Sequence, residues 1–184
     1  MAGGPSGAVV DDCEVRRMAQ KMADPRELFI EELGDMLYAE RAIEKTLPKL
    51  AKEATDPELR EGFEHHLDET REQIANLEQV FEELGEKPKA QKCPGIEGIK
   101  AEHDEFMKGH DPSEKIRDMF LTGAAARTEH YEIAAYSGLI TMAEQIEGGR
   151  CVELLQENLE QEESTLRKVE SIGKRLAKGA GARA

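Results

Sequence analysis

Tryptophan is absent from the 184 residues, and only 4% are aromatic. That weakens any reading as a nucleic-acid stacking platform, which needs aromatic faces for successive bases. Cysteine is scarce: Cys13, Cys93 and Cys151 are scattered, with no spacing suited to a thiolate metal site or a paired redox centre. An odd, sparse count fits a reducing compartment. No apolar run approaches the roughly 20 residues of a membrane span. Residues 1–23 lack an apolar segment behind a basic one, so no secretory signal is expected. Positive charge is short as well. Lys and Arg total 25 against 39 Asp and Glu, a net charge of −14. Such a surface repels phosphate backbones, and the basic tail from Lys168 to Arg183 is too short to reverse that. Neither nucleic acid nor membrane is an expected partner, whereas cations are. The expected location is cytoplasmic.

Glycine and proline gather near the termini and at a few internal points, leaving long stretches rich in Ala, Glu, Leu, Lys and Arg, a helical composition. Asp-Pro occurs at 24–25, 56–57 and 111–112. Asp accepts the orphan amides of a first helical turn, and Pro fits the first helical position. Glu27 and Glu114 add capping-box logic to two of these. Four amphipathic helices are predicted, over Pro25–Glu53, Pro57–Leu84, Pro112–Ile146 and Arg150–Leu176, each with an apolar stripe at 3,4 spacing. The first stripe runs through Phe29, Leu33, Leu37, Ile43 and Leu47; the third begins at Ile116. The first and last pairs are joined by a few residues and must be antiparallel hairpins. Residues 85–111 form a long connection with a short helix from Pro94 to Met107. The fold class is therefore all-α: a ferritin-like antiparallel four-helix bundle with a long crossover between its second and third long helices. A plain up-and-down bundle with an inserted helix is the alternative. Residues 1–23 read as a flexible arm, 24–178 as the bundle and 179–184 as a disordered tail.

Glutamates interrupt the stripes. Glu40 lies on that of the first helix, Glu162 on that of the last, and Glu129 and Glu132 run beside Ile133, Tyr136 and Ile140. The second helix adds His66 and, one turn on, Glu69. Buried lone carboxylates are costly and protonate rather than stay charged, but several converging with an imidazole suit iron or manganese held between helices. Di-metal bundles use single glutamates on two helices and Glu-x-x-His on the other two. Here the order is reversed in His66-x-x-Glu69, and Glu162 is followed at the same spacing by Thr165. Any one glutamate alone could equally be solvated or paired with Arg41, Lys45 or Arg127. Tyr38, Tyr131 and Tyr136 read as packing residues.

Several of these segments together resemble the YciE/YciF-like stress-associated ferritin-like proteins of bacteria. The segments are Leu37-Tyr38-Ala39-Glu40-Arg41, Leu47-Pro48-Lys49-Leu50-Ala51 and His66-Leu67-Asp68-Glu69-Thr70. With them go Leu84-Gly85-Glu86-Lys87-Pro88, Lys92-Cys93, the run from Glu129 to Tyr136, and Leu159-Glu160-Gln161-Glu162-Glu163. The resemblance spans about residues 25 to 172. It implies a rubrerythrin- or ferritin-like bundle, commonly dimeric, with a di-iron-type centre and expression linked to stress. Carried over by position, the metal candidates are Glu40, His66, Glu69, Glu129, Glu132 and Glu162, and the implied cofactor is two iron ions or manganese. Cys93 belongs to the same pattern and reads as structural. The function expected is a di-metal carboxylate protein of the stress response, oxidising metal with peroxide or oxygen in the manner of a ferroxidase. A non-enzymatic acidic helical protein acting through protein contacts is the other reading; a cage-forming ferritin or DNA-protecting miniferritin is a weaker third.

Overall fold

A helix start leaves its first amides free, and two of the four long helices begin on the Asp side chains placed to take them. The structure is a computed structural model and describes residues 22–181; most of the expected arm (1–21) and the last three residues lie outside the described residues. Helix α1 spans Pro25–Glu53, with the Asp24 carboxylate accepting from Arg26 N at 2.9 Å. Helix α2 spans Pro57–Glu83, and Asp56 accepts from Leu59 N at 3.1 Å. Its end is closed by Gly85 at φ +70°, which lets Glu86 N reach Phe81 O at 2.9 Å, a turn that L side chains resist.

Helix α3 (Pro94–Gly109) has a less common cap: the Cys93 sulfur accepts from Ile96 N at 3.3 Å. Helix α4 spans Glu114–Ile146 and departs from expectation, because its cap is Ser113, not Asp111. Ser113 stays extended at ψ 157°, so the helix begins two residues after Pro112. Glu114 is thus the first helical residue rather than the third, and no capping box forms. Helix α5 spans Gly149–Gly181, entering residues 179–181 where a disordered tail was expected. There Lys115 Nζ on α4 donates to the Gly179 carbonyl.

The described residues form five helices and no strand, and no helix is long and apolar enough to cross a membrane. The long helices pack in a ring, α1 against α2 and α4, and α5 against α2 and α4, with α3 resting on α4. Directions follow from long-range pairs. Arg26 meets Glu147 at one end of α1, and Thr55, just beyond its other end, meets Asp118, so α1 and α4 are antiparallel. Asp56 with Arg175 and Asn76 with Asn158 make α2 and α5 antiparallel too. Helices α2 and α4 therefore run the same way, and the connection must travel the length of the molecule. It does so along α1: Gln91 N donates to Gly34 O, Tyr38 to Glu97, and Lys49 to Asp104. Gly34 is required there, since a Cβ would lie 2.7 Å from Gln91 Cγ and 2.8 Å from the Lys89 carbonyl.

The core comprises Phe29, Leu33, Leu37, Leu77, Phe81, Leu139 and Leu154, all buried. Ile116, expected on the inner stripe of α4, is 48% exposed. It stands in the first turn of α4, and Asp118, just beyond that turn, is the residue turned inward.

Candidate metal centre

Midway along the bundle the apolar core gives way to a polar layer. His66 on α2, Glu129 and Glu132 on α4, and Glu162 on α5 are all buried, and each offers one nitrogen or oxygen such that these atoms lie within 4.8 Å of one another. Glu129 and Glu132 share a face because three residues is nearly one helical turn. Glu40 enters from α1, fully buried, with the Tyr136 hydroxyl donating to its Oε1. Glu69 stands at the edge. His66 Nδ1 is 3.9 Å from its Oε2, Thr165 donates to the same oxygen at 3.1 Å, and His65 Nε2 lies 3.2 Å from Oε1.

Few hydrogen bonds serve this layer. Gln73 Nε2 donates to Glu162 Oε1 at 2.5 Å. Asn158 Nδ2 donates to the Tyr136 hydroxyl at 3.0 Å and to the Gln73 carbonyl at 3.2 Å, while Asn76 donates to Asn158 Oδ1 at 2.8 Å. Thr70 caps the His66 carbonyl at 2.8 Å. Much is left over. Glu40 Oε2, Glu129 Oε2, Glu162 Oε2, both oxygens of Glu132 and both ring nitrogens of His66 have no hydrogen-bond partner. His66 Nε2 comes within 3.5 Å of Glu129 Oε1, ion-pair distance without hydrogen-bond geometry.

The cations that could have neutralised the glutamates lie elsewhere. Arg41 pairs with Glu78 at 2.7 Å and Arg127 with Glu102 at 3.0 Å, both at the surface. Burial, followed by the neighbouring Glu162, drives the Glu40 carboxyl well above the ordinary range. Burial also raises Glu129 and Glu132, each reinforced by its acidic neighbours. Glu69 behaves oppositely: burial pushes it up, but His66, His65, Thr165 and Lys168 together outweigh that and hold it low. Burial and Glu40 raise the Tyr136 phenol.

Of the six residues singled out in the sequence, four thus converge, Glu40 faces the same layer through Tyr136, and Glu69 lies outward beside His66. Gln73, Asn158 and Tyr136 were not singled out as polar members of the layer. Gln73 lies two turns after His66 on one face, and Asn158 one turn before Glu162; that spacing was the available signal. Cys93, read as structural, is buried beside the Tyr131 hydroxyl at 2.9 Å, which in turn donates to Asp35 at 3.0 Å.

Protein YciF of Escherichia coli is 39% identical over 140 residues, 76% of this chain and 84% of that protein. The crystal structure of this E. coli stress protein superposes with a TM-score of 0.81, covering 85% of this chain and 99% of the other at 35% identity. YcfI of Rhodopseudomonas palustris, described as a candidate structural protein, gives 0.79 at 37% identity over 83% and 97%. An Anabaena variabilis protein with DJ-1/ThiJ/PfpI-like and ferritin-like domains shares the fold at 16% identity and a TM-score of 0.56. It matches over 99% of this chain and 47% of its own. Residues 24–180 match the family described as a domain of unknown function, DUF892. The chain belongs to that family and is YciF-like.

Proposed function

We propose that this chain is a ferritin-like di-metal carboxylate protein of the stress response. Two ions of iron or manganese would be held among Glu40, His66, Glu129, Glu132 and Glu162, with Glu69 at the outer edge. One observation carries the reading: His66, Glu129, Glu132 and Glu162, from three helices, bring ligand atoms within 4.8 Å of one another, and each of these buried side chains has a nitrogen or oxygen without a hydrogen-bond partner. Leaving such groups unsatisfied costs several kcal/mol each, and hard or borderline cations relieve that cost with these ligand types. The ferritin-like domain of the Anabaena protein and the parallel course of α2 and α4 support the fold part of the proposal. The description of YciF as a stress protein supports the setting.

When bound, such ions supply Lewis acidity and electrons for the reduction of dioxygen or peroxide. The chain's own residues do the rest. Tyr136 holds a proton against Glu40 Oε1, and the Gln73 amide fixes one oxygen of Glu162. Glu129 and Glu132 stay free to change the oxygen they present. Buried Leu37, Leu77, Leu139 and Leu155, each one turn along its helix from a member of the layer, keep bulk water from that side.

Elemental analysis of protein purified without chelators, then loaded anaerobically with ferrous or manganous salt, tests the proposal. About two ions per chain are expected; less than a few tenths of an ion after loading overturns it. The raised carboxyls favour a second reading, a metal-free acidic helical protein that works through protein contacts with its inner glutamates protonated. On either reading we propose a homodimer, which light scattering checks.

A further inference from the structure

Two cavities adjoin between α1, α3 and α4. The outer, of about 160 Å³, opens at the surface among Lys45, Lys49, Lys100, His103 and Asp104. The inner, of about 50 Å³ and itself partly open, is lined by Leu47 and Ile96 and by Phe63 of α2, and has His66 and Glu129 in its wall. Thr46, Leu50, Lys100, Ala125 and Thr128 line both, so the two meet at a shared neck. We infer that this passage is the route by which dioxygen reaches the His66–Glu129 side of the buried cluster; the inference rests on the di-metal reading and names its oxidant.

The chemistry of the wall selects the visitor. At the mouth Lys49 pairs with Asp104 at 2.9 Å and Lys100 with Glu97 at 2.8 Å, His103 Nε2 lies 2.9 Å from Glu53, and Lys45 makes no ion pair among the described residues. On a chain with a net charge of −14, a rim carrying three lysines offers little to draw a metal cation. The neck offers no free donor either. Thr46 Oγ1 donates to the Ala42 carbonyl at 2.8 Å and Thr128 Oγ1 to the Ala124 carbonyl at 3.2 Å. Lys100 contributes its stem while its ammonium is held by Glu97. A metal cation would lose most of its hydration there, and peroxide most of its hydrogen bonds, since the threonine oxygens can only accept. Dioxygen loses neither, and small apolar cavities take up such molecules readily.

Methyl relaxation of the metal-free full chain under a few atmospheres of dissolved oxygen reads this directly. Leu47, Leu50 and Ile96 are expected to show severalfold greater paramagnetic enhancement than the buried controls Leu77 and Leu154. Ala125→Leu or Thr46→Met, either of which narrows the neck, should return Leu47 and Ile96 to the control level while leaving Ile99 at the mouth enhanced. If one variant fails to fold, the other decides. No excess at Leu47 and Ile96 in the unaltered chain, or an excess unchanged by a folded neck variant, overturns the inference. Because the measurement uses metal-free protein, an open passage in a chain that binds no metal would sink the di-metal reading alone.

Discussion

Glu132 carries two buried oxygens without a hydrogen bond between them, and that deficit sets what substitution does. Replacing a buried, unmatched carboxylate with a hydrocarbon of similar volume is often neutral or stabilising by about 1–4 kcal/mol. Glu132→Leu should therefore leave the metal-free melting temperature unchanged or raised. It should abolish the rise on metal addition, which for the unaltered chain is about 2.7 kcal/mol at a hundredfold excess over Kd. Calorimetry with and without ferrous or manganous salt checks both; a retained metal-linked rise sinks the ligand assignment. Tyr136→Phe separates support from ligation. It removes the donor to Glu40 and the acceptor for Asn158, at a cost of about 1–3 kcal/mol, while metal stoichiometry should persist. At this scale the sequence marks the glutamates because acids break an apolar stripe visibly. It does not mark Gln73 or Asn158, whose neutral amides look like surface residues until partners 85 to 89 positions away are known.

The elements tell a similar story, in which local chemistry is legible and remote contacts are not. Asp24 and Asp56 cap as Asp-Pro predicts, because their amide partners lie within three residues. Asp111 does not, since Pro112 and Ser113 continue the extended connection and nothing local in the dipeptide reports that. The start of α4 is instead tied down by Asp118. Its carboxylate accepts from Thr55 N at 2.9 Å, Thr55 Oγ1 at 2.5 Å and Asp56 N at 2.9 Å. Asp118→Ala should lose about 1–3 kcal/mol, read as a shift in urea midpoint, with the earliest loss of amide protection in the α1–α2 turn. Nearby, Arg175 is bonded to both Asp56 oxygens and holds that carboxyl below its ordinary value. The folded value lies below the unfolded one, so this contribution is present above the ~3.9 of a free Asp and disappears as pH falls through the depressed value. Arg175→Met should therefore melt earlier at neutral pH, with the gap closing in acid.

Across the middle of the molecule the sign is reversed, because the inner carboxyls are raised where Asp56 is lowered. Glu40, Glu129 and Glu132 are raised in the folded state by burial first. A raised acid stabilises fully below its unfolded value, about 4.3 for Glu, and that stability is lost as pH rises through the folded values. Metal-free protein should accordingly melt higher in mild acid than at alkaline pH. Metal-loaded protein should show the opposite slope, since ions displace the same protons. Melting scans across pH, with and without chelator, check this; parallel slopes would count against a shared site. The architecture was legible at this scale through connection lengths alone, as two short turns and one long one left few arrangements. The course of the long connection has a further consequence, in molecularity. Residues 85–89 of that connection are exposed, and they separate a hairpin bearing Glu40, His66 and Glu69 from one bearing Glu129, Glu132 and Glu162. A single proteolytic nick there would turn one chain with a complete centre into two fragments with half each. Metal uptake by the nicked protein would then rest on the packing of α1 on α4 and α2 on α5 to keep the two halves together.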